Sequence, residues 1–283
     1  MDEVEQTALI YKLINNKNFI CGKDLGWLLA LVYDIPFGIT CLLSYEFLQL
    51  LCQAFLHISI DRKDYSVIPQ RRYASVEGGY IAMDAALMLG KESFIDLEMY
   101  TGKRTAWQVI KKLEKYITMY TANRNRKNPM PKGKNYLLAF MSHPKTRLVG
   151  KDGKVVPILR YHHERVGDVD GETIPFEFVL VNIRAIHEDP LINEICHDLL
   201  LDDPELMHNK TIRKAYTAFI THEEVKKAMC LRDKHFKEEG LKEGEQRARD
   251  NYIRRSIELG TPAENICATF GIPREELKAK YRY

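Results

Sequence analysis

Two acidic residues, Asp84 and Glu98, flank a turn-rich interval, Leu89-Gly90-Lys91-Glu92-Ser93, that joins two short apolar runs within residues 80–100. Apolar runs joined in this way predict a β-hairpin. If the turn centres on Lys91, positions equidistant from it pair, and Asp84 stands directly across from Glu98. Period-two alternation then puts Ala82, Asp84, Ala86 and Met88 on one face of the first strand, and Phe94, Asp96, Glu98 and Tyr100 on the matching face of the second. Like charges placed opposite each other destabilise a sheet. At ~5 Å and an effective dielectric of ~20 the repulsion is roughly 3 kcal/mol, large beside the stability of a domain. A raised pKa on one carboxyl, a neighbouring Lys or Arg, or a bound divalent cation would each offset it, and Mg²⁺ takes oxygen ligands of this kind. Ala82 and Ala86 are small and leave room for a ligand. A one-residue slip of register would instead separate the two acids and leave ordinary strand-end carboxylates, so the hairpin alone keeps both arrangements open.

The most basic stretch of the chain follows at once. Between Lys103 and Lys134 there are ten Lys or Arg (103, 104, 111, 112, 115, 124, 126, 127, 132 and 134) and one acid, Glu114. Cations in that number beside two metal-holding carboxylates fit phosphodiester cleavage. The cations seat the backbone phosphates, while the metal activates water and stabilises the charge that develops. The same residues also suit a solvated helix face followed by a polar loop at 123–135. The net charge is only +3, so any contact with nucleic acid is local rather than a blanket of positive charge.

Positioning these residues requires a sheet and a helix, and the pattern provides both. Ala106, Ile110, Leu113, Ile117 and Tyr120 recur at spacings of four and three, with Arg104, Gln108, Lys111 and Lys115 on another face, which predicts a long helix after the hairpin. Asn135–Met141, Val155–Tyr161 and Phe176–Ile183 read as strands, and the unbroken apolar run Tyr136–Phe140 suits one covered on both faces. Residues 1–60 form a helical lead-in, with apolar clusters at Trp27–Val32 and Phe47–Phe55 separated by a break at Asp34-Ile35-Pro36. The fold class that follows is α/β: a mixed central β-sheet flanked by helices, with a small helical C-terminal module. Residues 1–230 make the core. Residues 231–283 make a charged linker helix and two short helices resembling a helix-turn-helix. Thr261-Pro262-Ala263-Glu264 matches a capping box with Pro at the first helical position, and Phe270-Gly271-Ile272-Pro273 stops one helix and starts the next.

Asp84, a short hairpin, then Ile95-Asp96-Leu97-Glu98-Met99-Tyr100 and a basic helix resemble the active-site segment of the PD-(D/E)XK nuclease superfamily. The likeness is to its recombination-promoting, transposase-like branch, whose pattern is an Asp followed on the next strand by Glu-x-Gln or Glu-x-Lys. Pro157-Ile158-Leu159-Arg160-Tyr161, Val179-Leu180-Val181-Asn182, the run from Asp189-Pro190 to Leu206-Met207, and the Glu239–Gly244 tail resemble that branch's later segments in order and spacing, so the resemblance covers roughly residues 80–280 and the first 75 match it only as a helical lead-in. The resemblance implies a restriction-endonuclease-like core, DNA as partner and endonucleolytic cleavage. It also implies Mg²⁺ or Mn²⁺ held by Asp84, Glu98 and the main-chain carbonyl of Met99. Lys103, Arg104, Lys111, Lys112 and Lys115, with Arg124, Arg126 and Lys127, would then contact the DNA. Where the pattern has Gln or Lys this chain has Tyr100, a phenol that can hydrogen-bond a water or a phosphate oxygen but carries no positive charge. Lys103 or Arg104 could supply charge from the adjacent turn. Tyr100 therefore sets up the alternative: a degenerate nuclease fold that binds nucleic acid or a protein partner without cutting.

Other signals carry less. Hydrophobic residues make up 45% and charged residues 29%, which excludes a wholly disordered or collagen-like chain. The six cysteines show no CxxC spacing, so reduced core thiols are expected rather than a disulfide scaffold or zinc site. The acidic N-terminus lacks the positive region of a signal peptide, and the apolar window 25–43 is broken by Asp34 and Pro36, so a cytoplasmic chain with no membrane span is expected. Residues 184–206 carry seven acids against Arg184 alone and are expected to face solvent; His162, His163, His187, His197 and His208 are expected to be surface residues rather than ligands. Glu275 and Glu276 would repel phosphate, so the C-terminal module is expected to serve homo-oligomerisation rather than DNA reading.

Overall fold

A computed structural model describes residues 3–14, 31, 33–63, 65–74, 80–89, 93–112, 114, 134–166 and 173–281. At its centre is a six-stranded mixed sheet in the order β1-β2-β3-β4-β8-β7. The strands are β1 (Tyr65–Ala74), β2 (Tyr80–Leu89), β3 (Ser93–Tyr100), β4 (Asn135–Met141), β7 (Ile158–Val166) and β8 (Thr173–Asn182). β3, β4 and β8 run parallel; the outer pairs are antiparallel. A two-stranded hairpin, β5 (Leu148–Val149) with β6 (Val155–Val156), lies between β4 and β7 in sequence. The flanking helices include α1 (Glu3–Ile14), α2 (Asp34–Leu43), α3 (Tyr45–Leu51) and α4, residues 106–112. Beyond β8 come α5 (Pro190–Asp198), α6 (Lys210–Thr221) and α7 (Glu223–Glu258).

Alternation along each strand divides the core into two layers. Ala86, Phe94, Tyr100, Leu137, Ala139 and Phe178 face α4 and the β5–β6 hairpin, where Val109, Ile110 and Leu148 close over them. On the other side α2 packs on β1, β2 and β3 and against α6, and Phe37 and Phe55 meet Phe140 edge-on at 5.8 and 5.2 Å. Every residue of β4 is buried, as the unbroken apolar run requires of a central parallel strand.

Two expectations about the first 75 residues change. Asp34-Ile35-Pro36 opens α2 rather than breaking a helix, because proline is tolerated in a first turn, where its missing N–H has no helical acceptor. Residues 65–74 form edge strand β1 instead of continuing a helical lead-in; Pro69 within it is compatible only with an edge. The cluster expected at Trp27–Val32 falls, except for Leu31, outside the described residues.

The chain divides into two compact units, Met1–Lys226 and Lys227–Tyr283, a boundary four residues before the sequence-based one. In the second unit, Ile253, Ala263, Ile266, Ile272 and Leu277 form a small core uniting the end of α7 with α8 (Ala263–Phe270) and α9 (Arg274–Tyr281). Gly271 ends α8 with a left-handed φ of 59°, where a glycine avoids the Cβ penalty. The helix expected to be capped at Thr261 starts one residue later. The Thr261 N–H donates to Ser256 O at the end of α7, and Pro262 occupies the N-cap position of α8. No single described helix is long and apolar enough to cross a membrane. An apolar pair, Pro36–Leu43 with Tyr45–Leu56, is bent by 110° and is largely buried in the protein.

Candidate functional site

Of the two registers the sequence leaves open, β2 pairs with β3 in the one centred on Lys91: Ala86 pairs with Asp96 and Ala85 with Leu97. Beyond that last pair the acids take over the ladder. Glu98 Oε1 accepts the Asp84 backbone N–H at 3.1 Å, and Asp84 Oδ2 accepts the Met99 N–H at 2.7 Å. Each carboxyl group is thereby fixed to the backbone of the opposite strand. The helix that follows is fixed as firmly. The Gln108 N–H donates to Thr105 Oγ1 at 3.2 Å and the Thr105 N–H to Gln108 Oε1 at 2.9 Å, a reciprocal capping box that starts α4 five residues after β3 ends. Seven residues beyond that cap, Lys112 Nζ lies 3.5 Å from Glu98 Oε2. The same ammonium sits 4.6 Å from the Tyr100 ring centroid, and the Arg104 guanidinium carbon 5.8 Å from it.

These groups border a cavity of about 370 Å³ lined by Asp84, Glu98, Met99, Tyr100, Arg104 and Lys112, with Tyr33, Thr101 and Gly102 at its margin. Asp84 is 7% exposed, Glu98 2% and Asp96 not at all. Burial drives the Glu98 carboxyl up to about 8, with the Asp96 charge adding to it and Lys112 opposing. Asp96 is pushed well above the carboxylate range by burial and by Asp84, again against Lys112. Two of the three compensations that facing acids require are thus built in: raised carboxyl pKa values and an adjacent lysine.

The third compensation is a divalent cation, and the donor set fits one. Two carboxylates, Asp84 and Glu98, line one cavity, with Asp96 fully buried beside them, and Glu98 Oε2 faces Lys112 Nζ and, among the described residues, accepts no backbone N–H. An all-oxygen, strongly acidic donor set suits Mg²⁺ or Mn²⁺.

Of the residues expected to seat phosphate, Arg104 and Lys112 reach this cavity. Lys103 is exposed on the turn before α4, and Lys111 points away, its ammonium 5.4 Å from the Trp107 ring centroid. Lys115, Arg124, Arg126 and Lys127 lie outside the described residues, as do Leu113, Ile117 and Tyr120 of the predicted helix. The sequence points to Lys103 or Arg104 for the cation beside the acids; Lys112 provides the ion pair. Asp96 shares the face on which alternation places it, yet nothing in the sequence sets it apart, because its acidic character becomes unusual only once its burial is known. The Thr105-x-x-Gln108 spacing is a legible signal for the start of α4.

The acidic segment departs from expectation. Asp198 is fully buried, where the charge run suggests solvent: its Oδ1 accepts the His208 N–H at 3.1 Å and its Oδ2 the Asn209 N–H at 2.6 Å, fixing the entry to α6. His187 is also buried, its Nε2 3.0 Å from Asn182 O. His197, Asp198 and His208 come within 4.8 Å of one another, a juxtaposition the sequence spacing conceals. The two imidazoles are parallel, 3° between planes and 5.1 Å between centroids, so their in-plane lone pairs do not converge on one ion. The described cysteines are all free.

Comparison of the chain with family models, with curated proteins and with solved structures finds no match.

Proposed function

We propose that this chain is a metal-dependent DNA endonuclease. The observation that carries the reading is the juxtaposition of Asp84 and Glu98 with Lys112 at the edge of one cavity, Asp96 buried in the same cluster. Asp84 and Glu98 would hold Mg²⁺ or Mn²⁺, with Asp96 reinforcing the negative field. Such an ion supplies a water of lowered pKa and stabilises charge on the phosphoryl oxygens. Arg104, exposed at the cavity mouth, and Lys112, half-buried beside Glu98, face the space a phosphodiester would occupy and would orient it. The resemblance to the PD-(D/E)XK superfamily points the same way. Lys112 answers the departure at Tyr100: the positive charge absent from the strand stands on the helix instead, directly over the phenol ring.

A binding-only role is the second reading, favoured by the burial of Tyr100, 5% exposed and packed within the core at the motif position. The deciding experiment incubates supercoiled plasmid with the protein in Mg²⁺, Mn²⁺ or EDTA. Nicked or linear DNA that requires metal and is lost in Asp84→Ala and Glu98→Ala is the expected result. Intact plasmid in both metals, with retained DNA binding, would transfer the conclusion to the second reading.

A further inference from the structure

A second, more apolar groove lies on the other side of α4. Its volume is about 450 Å³, and its apolar wall comes from Trp107, Ile110, Val149, Leu159 and Tyr161. Trp107 is 55% exposed and Val149 50%. A tryptophan left in water beside an open groove is costly unless something covers it.

The charges around the groove identify the class of that partner. Every ionisable group lining it other than the Tyr161 phenol is a cation: Arg147, Lys151 and Arg160. Arg160 is committed elsewhere, to Glu177 at 3.2 Å and to the Phe55 carbonyl at 2.8 Å. Arg147 and Lys151 meet no carboxylate within ion-pair distance among the described residues. Lys111 stands against one face of the Trp107 indole. An aromatic platform bordered by cations, in a groove with no acid, matches the physical requirements of a nucleobase whose flanking phosphates need neutralising.

We infer that this groove binds an unpaired base of a single nucleic-acid strand, stacked on Trp107, with Lys111, Arg147 and Lys151 on the adjacent phosphates. A base inside a duplex is already stacked on both faces and presents only its edges to a groove, so a concave aromatic site selects a strand whose bases are splayed out. Helix geometry links the groove to the carboxylate site. Trp107 and Lys112 are five residues apart on α4, about 7.5 Å of rise and roughly 140° of rotation, so one short helix presents a cation to one cavity and an indole to the other. The inference rests on the proposed function for nucleic acid as the ligand class, and adds that the strand is single and that Trp107 holds it.

The test uses the full chain in EDTA, where cleavage is off, with fluorescein-labelled dT20 and a 20-base-pair duplex as probes. Anisotropy gives affinity. In a Trp27→Phe background, which removes the only other tryptophan, indole emission reports Trp107 directly. Expected are quenching by dT20, roughly 5- to 150-fold weaker dT20 binding for Trp107→Ala, near-wild-type binding for Trp107→Phe, and less than about 2-fold change on the duplex. Wild-type dT20 affinity in Trp107→Ala, or equal losses on both probes, would overturn the inference, as would quenching by anionic vesicles with none by dT20. If the Trp27 substitution unfolds the chain, anisotropy on the Trp27-containing protein decides between the same outcomes. Plasmid nicking by the same preparations separates the two readings. Metal-dependent nicking with an indifferent Trp107→Ala leaves the endonuclease and removes the groove; intact plasmid with Trp107-dependent dT20 binding does the reverse.

Discussion

Substituting Glu98 by Gln makes the electrostatics of the acid cluster measurable as a slope. Burial and Asp96 raise the Glu98 carboxyl from 4.5 to about 8 against the pull of Lys112. A group whose proton is held more tightly in the folded state than in the unfolded one contributes its full share of stability at low pH. That share declines as pH rises from the unfolded value through the folded one, because the unfolded chain ionises first. At ~1.4 kcal/mol per pH unit the decline is roughly 5 kcal/mol between pH 4.5 and 8, flattening above that. Gln keeps an oxygen that can accept the Asp84 N–H and carries no charge at any pH. Its constant cost, an amide close to Lys112, moves the curve without tilting it. Urea denaturation in EDTA at several pH values should therefore show the stability of Glu98→Gln minus that of the wild type rising by several kcal/mol from pH 5 to 8. A difference independent of pH would refute the assignment of a buried, proton-retaining carboxyl at this position.

Millimolar Mg²⁺ or Mn²⁺ should raise the melting temperature of the wild type, by linkage worth ~2.7 kcal/mol at one hundred times Kd, and leave Asp84→Ala and Glu98→Ala unmoved; equal shifts in all three would place the metal elsewhere. Tyr100→Gln and Tyr100→Lys should nick plasmid faster than the wild type if the phenol limits the positioning of water, and Glu98→Ala with Tyr100→Lys should be silent. If both single variants fold and bind DNA yet fail to cut in either metal, the endonuclease reading fails. Gly271→Ala should destabilise the C-terminal unit by ~1–2 kcal/mol, since its φ of 59° is costly for a residue with Cβ, while Gly271→Asn should cost less; amide exchange in residues 263–281 reads this, and equal protection in both variants would count against it.

What is legible in the sequence is what period and turn chemistry encode locally. The β2–β3 hairpin, the buried run Tyr136–Phe140 and the glycine stop at Gly271 follow from alternation, apolarity and a turn residue, and the structure matches all three, while the register of the hairpin, open in the sequence, is settled by the ladder from Ala85 to Leu89. What escapes depends on neighbours distant in sequence. β1 is hidden because Pro69 and the pair Arg71-Arg72 erase alternation, which an edge strand tolerates and a central one does not. Asp198 reads as one acid among seven, and its burial depends on two backbone N–H groups ten and eleven residues later. The capping box at Thr261 looks complete, yet α8 starts one residue later, with Pro262 at its N-cap position. At the candidate site the acids are legible and their cation is not: Lys112 is one of ten basic residues in its stretch, and only the path of the chain singles it out.

That path is itself constrained. β3 and β4 are parallel neighbours, so the chain leaving the carboxyl end of β3 must cross back over the sheet before β4 can begin. Whatever helix starts that crossover begins beside the last residues of β3, which here are Glu98, Met99 and Tyr100. The Thr105–Gln108 box sets where α4 starts, and the burial of Val109 and Ile110 sets which side faces the sheet. With origin and rotation both fixed, the residue two positions after Ile110 is carried to the strand end, and that residue is Lys112. The same constraint places Trp107 on another face of the helix, over the β5–β6 hairpin and β7. A parallel step in the sheet thus brings a cation to the acids and an aromatic platform to their flank, and a phosphodiester strand in reach of both would have its charge and its base recognised by one short helix.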